Sequence, residues 1–202
     1  GRNNMDGLSL HYYTIAGEGW NNKSAATGFG EELYFSGLKK GLYMDELVSK
    51  HSAIMDQYDK DKRVDLLVDE WGIWTDVESG TNPGHLFQQN SMRDALIAST
   101  TLDILNKHCD RVKMANIAQI VNVLQAMILT QGDKMALTPT YHVFKMFTVH
   151  QDATFLPSYL ICEPYKLGND QIPAISSSAS IDKNGKIHVT LSNLNPNKEI
   201  KL

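Results

Sequence analysis

The sequence predicts an α/β fold, the C-terminal portion of a (β/α)8 TIM barrel followed by part of an antiparallel β-sandwich. Three observations carry that expectation. Strand-length apolar runs alternate with helical periodicity three times over residues 1–152, the pattern of parallel strands with crossover helices. Beyond residue 152 the period shortens to strand candidates, and Asn184-Gly185 between two of them is a strong hairpin signal. Between these signals, the run Val64, Leu66, Leu67, Val68 ends in Asp69-Glu70-Trp71. An acid at the carboxyl end of a buried parallel strand is where barrel enzymes keep their chemistry.

The elements follow in order. Residues 5–13 read as a short buried strand closing in His11-Tyr12-Tyr13, and residues 15–30 as a long Gly-, Asn-, Ser- and Thr-rich loop holding Trp20. Loops of that length are uncommon in compact domains and often carry function. Residues 31–58 turn helical, with Leu42, Leu47, Ile54, Met55 and Tyr58 among the apolar positions and Gly37 and Gly41 expected to divide them. Residues 63–73 form the second strand, and residues 77–89 a polar loop. Ser91 stands where an N-cap belongs, with Asp94 approximating a capping box, and opens a helix that ends near His108. Residues 112–115 begin a third strand that runs toward Asn116 and Gln119. Residues 120–129 fit strand or helix, a short helix being favoured, and residues 141–150 fit a helix.

Residues 156–162, 174–181 and 186–194 are the later strand candidates. Ile187, Val189 and Leu191 alternate with His188, Thr190 and Ser192, so the last strand should cover a core with one face. The expected division is a partial barrel over 1–152 and part of a sandwich over 153–202. Three strand–helix repeats cannot close a barrel that needs eight. The missing strands are expected from an upstream segment, and the chain reads as truncated. No signal peptide is visible, and localisation is unknown from this end.

Composition removes other classes. With 42% apolar residues the chain can bury a sizeable core, and a net charge of −4 argues against nucleic acid. No apolar stretch approaches the roughly 20 residues that span a membrane. Cys109 and Cys162 lie far apart and read as free thiols, although a disulfide stays open. The seven histidines form no zinc motif, so no metal is expected. There is no Gly-x-Ser-x-Gly elbow, phosphate loop or calcium loop, and Gly28-Phe29-Gly30 lacks a strand–helix context.

Glu70 is the leading catalytic residue, against the plainer reading of a carboxylate paired at a strand end. Asp69 should point to the opposite side and orient neighbours. Trp71 and Trp74 fit either sugar-facing walls or core. His11 and Tyr13, two apart on an extended segment, share a face and suit hydrogen bonds to hydroxyls or to a carboxylate. Gln119 offers an amide near a strand end, and Trp20 is either a loop anchor or a sugar platform. Satisfied structural polar groups are the alternative for each.

Taken in order, four segments resemble glycoside hydrolase family 51, the α-L-arabinofuranosidases. They are Leu8-Ser9-Leu10-His11-Tyr12-Tyr13-Thr14, Val68-Asp69-Glu70-Trp71, Met114-Ala115-Asn116-Ile117-Ala118-Gln119-Ile120-Val121-Asn122-Val123 and Pro139-Thr140-Tyr141-His142-Val143-Phe144. The likeness spans residues from about 5 to 160. It implies strands 6–8 of the barrel plus the start of the sandwich, and a retaining mechanism with Glu70 as nucleophile. Tyr13, with Tyr12 as the alternative, would contact substrate and nucleophile, and Gln119 would bind sugar. The family's acid/base glutamate follows an Asn at the fourth strand, and no such position exists here. Many members have Asn where this chain has Gly72, which leaves fine specificity open.

The implied substrate is a terminal α-L-arabinofuranosyl group on arabinan or arabinoxylan. No cofactor is required, and the upstream segment and a homo-oligomer are the implied protein partners. The fragment alone is expected to have negligible activity; if it were active, Glu18, Asp76 and Glu78 would be the first acids to examine. Two alternatives stand beside this reading: a non-catalytic sugar-binding or assembly piece, and a related barrel glycosidase acting on xylosides or glucans.

Overall fold

In strand β2 (Asp65–Ile73) the buried positions change phase. Leu66 and Val68 are buried on even numbers, whereas Trp71 and Ile73 are buried on odd ones. One extra residue must therefore be absorbed between Val68 and Trp71, because a regular strand alternates with period two. The computed structural model, which describes residues 1–201 without the Arg2 side chain, places a bulge there. Strand β1 (Gly7–Thr14) pairs parallel with β2 as Ser9↔Leu67 and then His11↔Glu70, two residues against three. Strand β3 (Val112–Ile117) pairs on the other side as Val68↔Ala115 and then Trp71↔Ile117. The sheet order is β1-β2-β3, all parallel.

Helices α1 (Glu31–Gly41) and α2 (Tyr43–Tyr58) connect β1 to β2, and α3 (Met92–Lys107) connects β2 to β3. The expected division of residues 31–58 falls at Leu42, just after Gly41. Gly37 divides nothing: a Cβ there would come within 3.3 Å of Ile97 and 3.4 Å of Arg93, so its lack of a side chain lets α1 lie close on α3. In α2 the core takes Met44, Val48 and Met55, while Ile54 is exposed. Ser91 donates its backbone N–H to Asp94 at 2.8 Å, the carboxylate half of the expected box. Trp71 is buried and stacks on Phe144 at 6.0 Å, so of its two readings it takes the core.

Residues 120–129 are not helical. They bend into strand β4 (Ile128–Gln131), which forms a hairpin with β5 (Lys134–Leu137). The turn signal was Gly132, whose φ of 61° suits glycine. Helix α4 (Pro139–Phe147) starts two residues earlier than expected, because Thr138 caps it and Pro139 fills the position where no N–H is needed.

Strand β6 (Thr154–Phe155) is short, and residues 156–162 form no strand, another correction. Their backbone leaves the sheet with Tyr159 and Ile161 exposed. Strands β7 (Pro164–Leu167) and β8 (Asp170–Pro173) make an antiparallel hairpin that the apolar pattern did not reveal. Strands β9 (Ile175–Ile181) and β10 (Ile187–Asn193) pair antiparallel, giving a sheet in the order β10-β9-β6. Their turn carries the Asn184-Gly185 signal: the Asp182 side chain accepts from the N–H groups of Asn184 at 2.8 Å and Lys186 at 3.0 Å, and Gly185 has φ 78°.

The inward face of β10 is opposite to the expectation. Ile187, Val189 and Leu191 are exposed, and Thr190 turns toward α3. The cause is Asp103, a buried α3 carboxylate that accepts from Ser176 at 2.6 Å, Ser178 at 2.7 Å and Thr190 at 2.9 Å. A buried carboxylate must be hydrogen-bonded, and hydroxyl residues on the facing sheet supply those bonds. Ser192 to Ser99 and Asn106 to Ser178 extend the polar seam along the same helix face.

Candidate functional site

The bulge decides what the two acids of β2 can touch. A regular strand would send Asp69 and Glu70 to opposite faces, as expected from sequence, but both reach the same imidazole. His11 Nδ1 lies 2.8 Å from Glu70 Oε2, and its Nε2 lies 3.2 Å from Asp69 Oδ1. Bulges break alternation and re-aim side chains beside active sites. Ser9 donates to the other acid, Asp69, at 2.7 Å, and that bond is the main reason its carboxyl titrates below the usual range.

Glu70 carries a second partner. The Tyr13 hydroxyl donates to Oε1 at 2.5 Å, so both carboxylate oxygens are held by β1 side chains two residues apart. Burial, then the Glu70 hydrogen bond and charge, push the Tyr13 phenol far above its ordinary value, which keeps it a donor. The Glu70 side chain is 37% exposed and lies neither in packed interior nor in bulk solvent. Tyr12 faces the other way, donating to Lys40 O at 2.7 Å and packing on Tyr43, and burial raises its phenol to about 12.

Aromatic rings wall one side. Trp74 meets Tyr13 edge-on at 5.0 Å and Trp20 at 5.1 Å. Trp20 is 59% exposed. Lys23 Nζ sits 5.7 Å from one of these rings and 5.9 Å from the other, and is tied to Trp20 O at 2.6 Å. Gln119 lies two residues beyond β3, exposed, in a segment whose Ala118 N–H donates to Trp71 O at 2.8 Å. The carboxyl ends of three neighbouring parallel strands thus carry His11 and Tyr13, Glu70, and Gln119.

Buried residues that the sequence did not single out hold these ends in place. Gln125 accepts from Ile73 N–H at 2.8 Å and donates to Asp94 O at 2.7 Å and Thr140 at 3.0 Å. Gln88 accepts from Thr75 N–H at 2.9 Å and donates to Ile73 O at 3.1 Å. Together they give the last residues of β2 the partners that a sheet neighbour no longer supplies. Gly72 has φ 149°, and a Cβ there would meet Gln125 Oε1 at 3.2 Å, which accounts for glycine at this position. Arg93, buried, reaches back to the long loop through Ser24 and Ala25 O and lies over the Phe29 ring at 3.9 Å.

The three alternative acids lie in loop networks. Glu18 accepts from Asn22 at 3.4 Å, Asp76 accepts from Lys23 N–H at 3.3 Å, and the Glu78 N–H donates to Phe87 O. Among the described residues, no group of three or more His, Cys, Asp or Glu side chains is placed to hold a metal ion.

The family model for the α-L-arabinofuranosidase C-terminal domain matches residues 69–202. The chain belongs to the α-L-arabinofuranosidase family. An intracellular exo-α-L-arabinofuranosidase from Bacteroides ovatus is 55% identical to it over 192 residues, which is 94% of this chain and 37% of that protein. The solved GH51 arabinofuranosidase of Xanthomonas axonopodis pv. citri superposes with a TM-score of 0.92 at 56% identity, covering 94% of this chain and 38% of that one. A family 51 α-L-arabinofuranosidase from Bifidobacterium longum shares the fold at TM-score 0.77 and 23% identity, over 97% of this chain and 40% of its own. This arabinofuranosidase-family chain therefore spans under two fifths of the first two relatives.

Proposed function

We propose that the full-length protein is a retaining, exo-acting α-L-arabinofuranosidase that trims arabinan or arabinoxylan, with Glu70 as its nucleophile. The observation that carries this reading is the Glu70 carboxylate, partly open at the carboxyl end of a parallel strand and held on both oxygens by Tyr13 and His11. Partners on both oxygens hold the carboxylate in a fixed orientation, as attack by a positioned nucleophile requires. Residues 1–152 then supply strands 6–8 of a (β/α)8 barrel, and residues 153–202 part of a sandwich; an upstream segment supplies the remaining strands and the acid/base.

In this reading Glu70 attacks the anomeric carbon and the glycosidic C–O bond breaks. The partner acid gives its proton to the leaving oxygen. That residue then takes a proton from water, which attacks the arabinosyl-enzyme and frees Glu70. Retention requires the two carboxyls roughly 5–5.5 Å apart. Trp74 and Trp20 form a wall for the furanose, and Gln119 donates to its hydroxyls.

The test uses full-length protein on an aryl α-L-arabinofuranoside, with an aryl xylopyranoside alongside. Glu70→Ala should lose several orders of magnitude in rate, and azide should partly restore it by occupying the vacated space. A near-normal rate for the variant removes Glu70 from the chemistry. Preference for the xyloside keeps the mechanism and replaces the substrate.

A further inference from the structure

We infer that Asp69 is a positioning residue for the reaction: acting through His11, it fixes the orientation of the Glu70 carboxylate, an inference that rests on the nucleophile reading above and deepens it. The shifted pairing of β2 brings Asp69 to this place. From Leu67 to Glu70 the strand advances three residues while β1 advances two, and from Val68 to Trp71 it again advances three against two on β3. The two intervals share Asp69. A bulge there turns its carboxylate from the opposite face onto the imidazole that Glu70 also meets.

A count of donors shows what Asp69 does to the ring. His11 Nδ1 lies 2.8 Å from Glu70 Oε2, and Nε2 lies 3.2 Å from Asp69 Oδ1. Ionised carboxylates only accept, whereas a neutral imidazole donates from one nitrogen alone. Both contacts are hydrogen bonds at once in the imidazolium, which gives one N–H to each acid. Asp69 supplies the charge that offsets the second ring proton, and it fixes which nitrogen faces Glu70. With both nitrogens engaged, His11 has none left for a sugar hydroxyl, so of its two sequence readings it takes the carboxylate. Ser9 Oγ donates to the same Asp69 oxygen at 2.7 Å, which anchors the far end of the chain Ser9–Asp69–His11–Glu70. The His11 and Asp69 side chains are 51% and 32% exposed, and an ion pair that open to solvent contributes little to folding. What the pair holds is the carboxylate beside it.

The experiment uses full-length protein and two readouts: kcat/KM on an aryl α-L-arabinofuranoside, and the inhibition constant of free arabinose as a measure of sugar binding. Asp69→Ala should lower kcat/KM about tenfold, the effect of one charge-assisted hydrogen bond. Its arabinose constant should stay within about twofold of the unsubstituted protein, because orientation of a nucleophile acts on the transition state and not on sugar binding. Asp69→Asn keeps an oxygen for the Nε2–H and should recover most of the loss. Ser9→Ala, at an exposed position, should give a smaller loss of the same sign. In a His11→Asn background an amide takes the place of the Nδ1 donor and the link to Asp69 is gone, so Asp69→Ala should cost nothing further. Unchanged kcat/KM in Asp69→Ala, arabinose binding weakened as much as turnover, or the full loss persisting in the His11→Asn background overturns the positioning role and leaves Glu70 as nucleophile. Failure of the unsubstituted protein to hydrolyse the arabinofuranoside discards the reaction, and the positioning role falls with it.

Discussion

Tyr13 and Glu70 make a contact that can be weighed by itself. A hydrogen bond to a charged group contributes about 1.5–3 kcal/mol. Tyr13→Phe in the full-length protein should therefore lower kcat/KM about 10- to 100-fold at unchanged fold, measured by steady-state kinetics and circular dichroism. Gly72→Ala should cost about 1–3 kcal/mol of stability in urea unfolding, since an L side chain at φ 149° is strained and meets Gln125. Much at this scale was legible in sequence: the strand-end acid, and the two-residue spacing that put His11 and Tyr13 on one face. Asp69 was not, because strict alternation sent it away and only the shifted pairing reveals the bulge. Gln88, Gln125 and Arg93 were equally hidden, since a buried amide or guanidinium has no sequence pattern that separates it from an exposed one.

Helix α3 and strands β9 and β10 show where element-level reasoning failed. The alternation in residues 187–192 was real, but which face turns inward depended on Asp103, more than 80 residues away. Burial raises the Asp103 carboxyl above its ordinary value, against the pull of three hydroxyl donors. Between the unfolded value near 4 and the raised folded value, the folded state binds more protons than the unfolded one. Stability from this group is therefore present at low pH and declines as pH rises through that window. Asp103→Asn should flatten this part of the full-length protein's pH–stability curve, measured by urea midpoints across mildly acidic pH. Asp103→Ala should cost about 1–3 kcal/mol by leaving hydroxyls unpaired. The β4–β5 and β7–β8 hairpins escaped notice because their strands are four residues each, too short to show a period.

At the scale of the whole molecule, the parallel sheet has the order β1-β2-β3, and β1 and β3 each have a sheet neighbour on one side among the described residues. Unpaired edges and bare apolar faces are hazards that a native protein covers. In the proposed enzyme the remaining barrel strands cover them and bring the acid/base to face Glu70. The isolated chain should accordingly show negligible turnover of an aryl arabinofuranoside where the full-length protein is active; robust turnover by the chain alone would place the acid within these residues. The repeat of strand and helix announced the parallel sheet from sequence, whereas the proposed barrel draws its other strands from outside these residues. The central claim is a covalent bond between Glu70 and the sugar. Full-length protein treated with a slow-deglycosylating, activated arabinofuranoside should yield, by peptide mass spectrometry, one anhydropentose on the peptide carrying Glu70. Full turnover with that peptide unlabelled, or with the sugar on another residue, would contradict it.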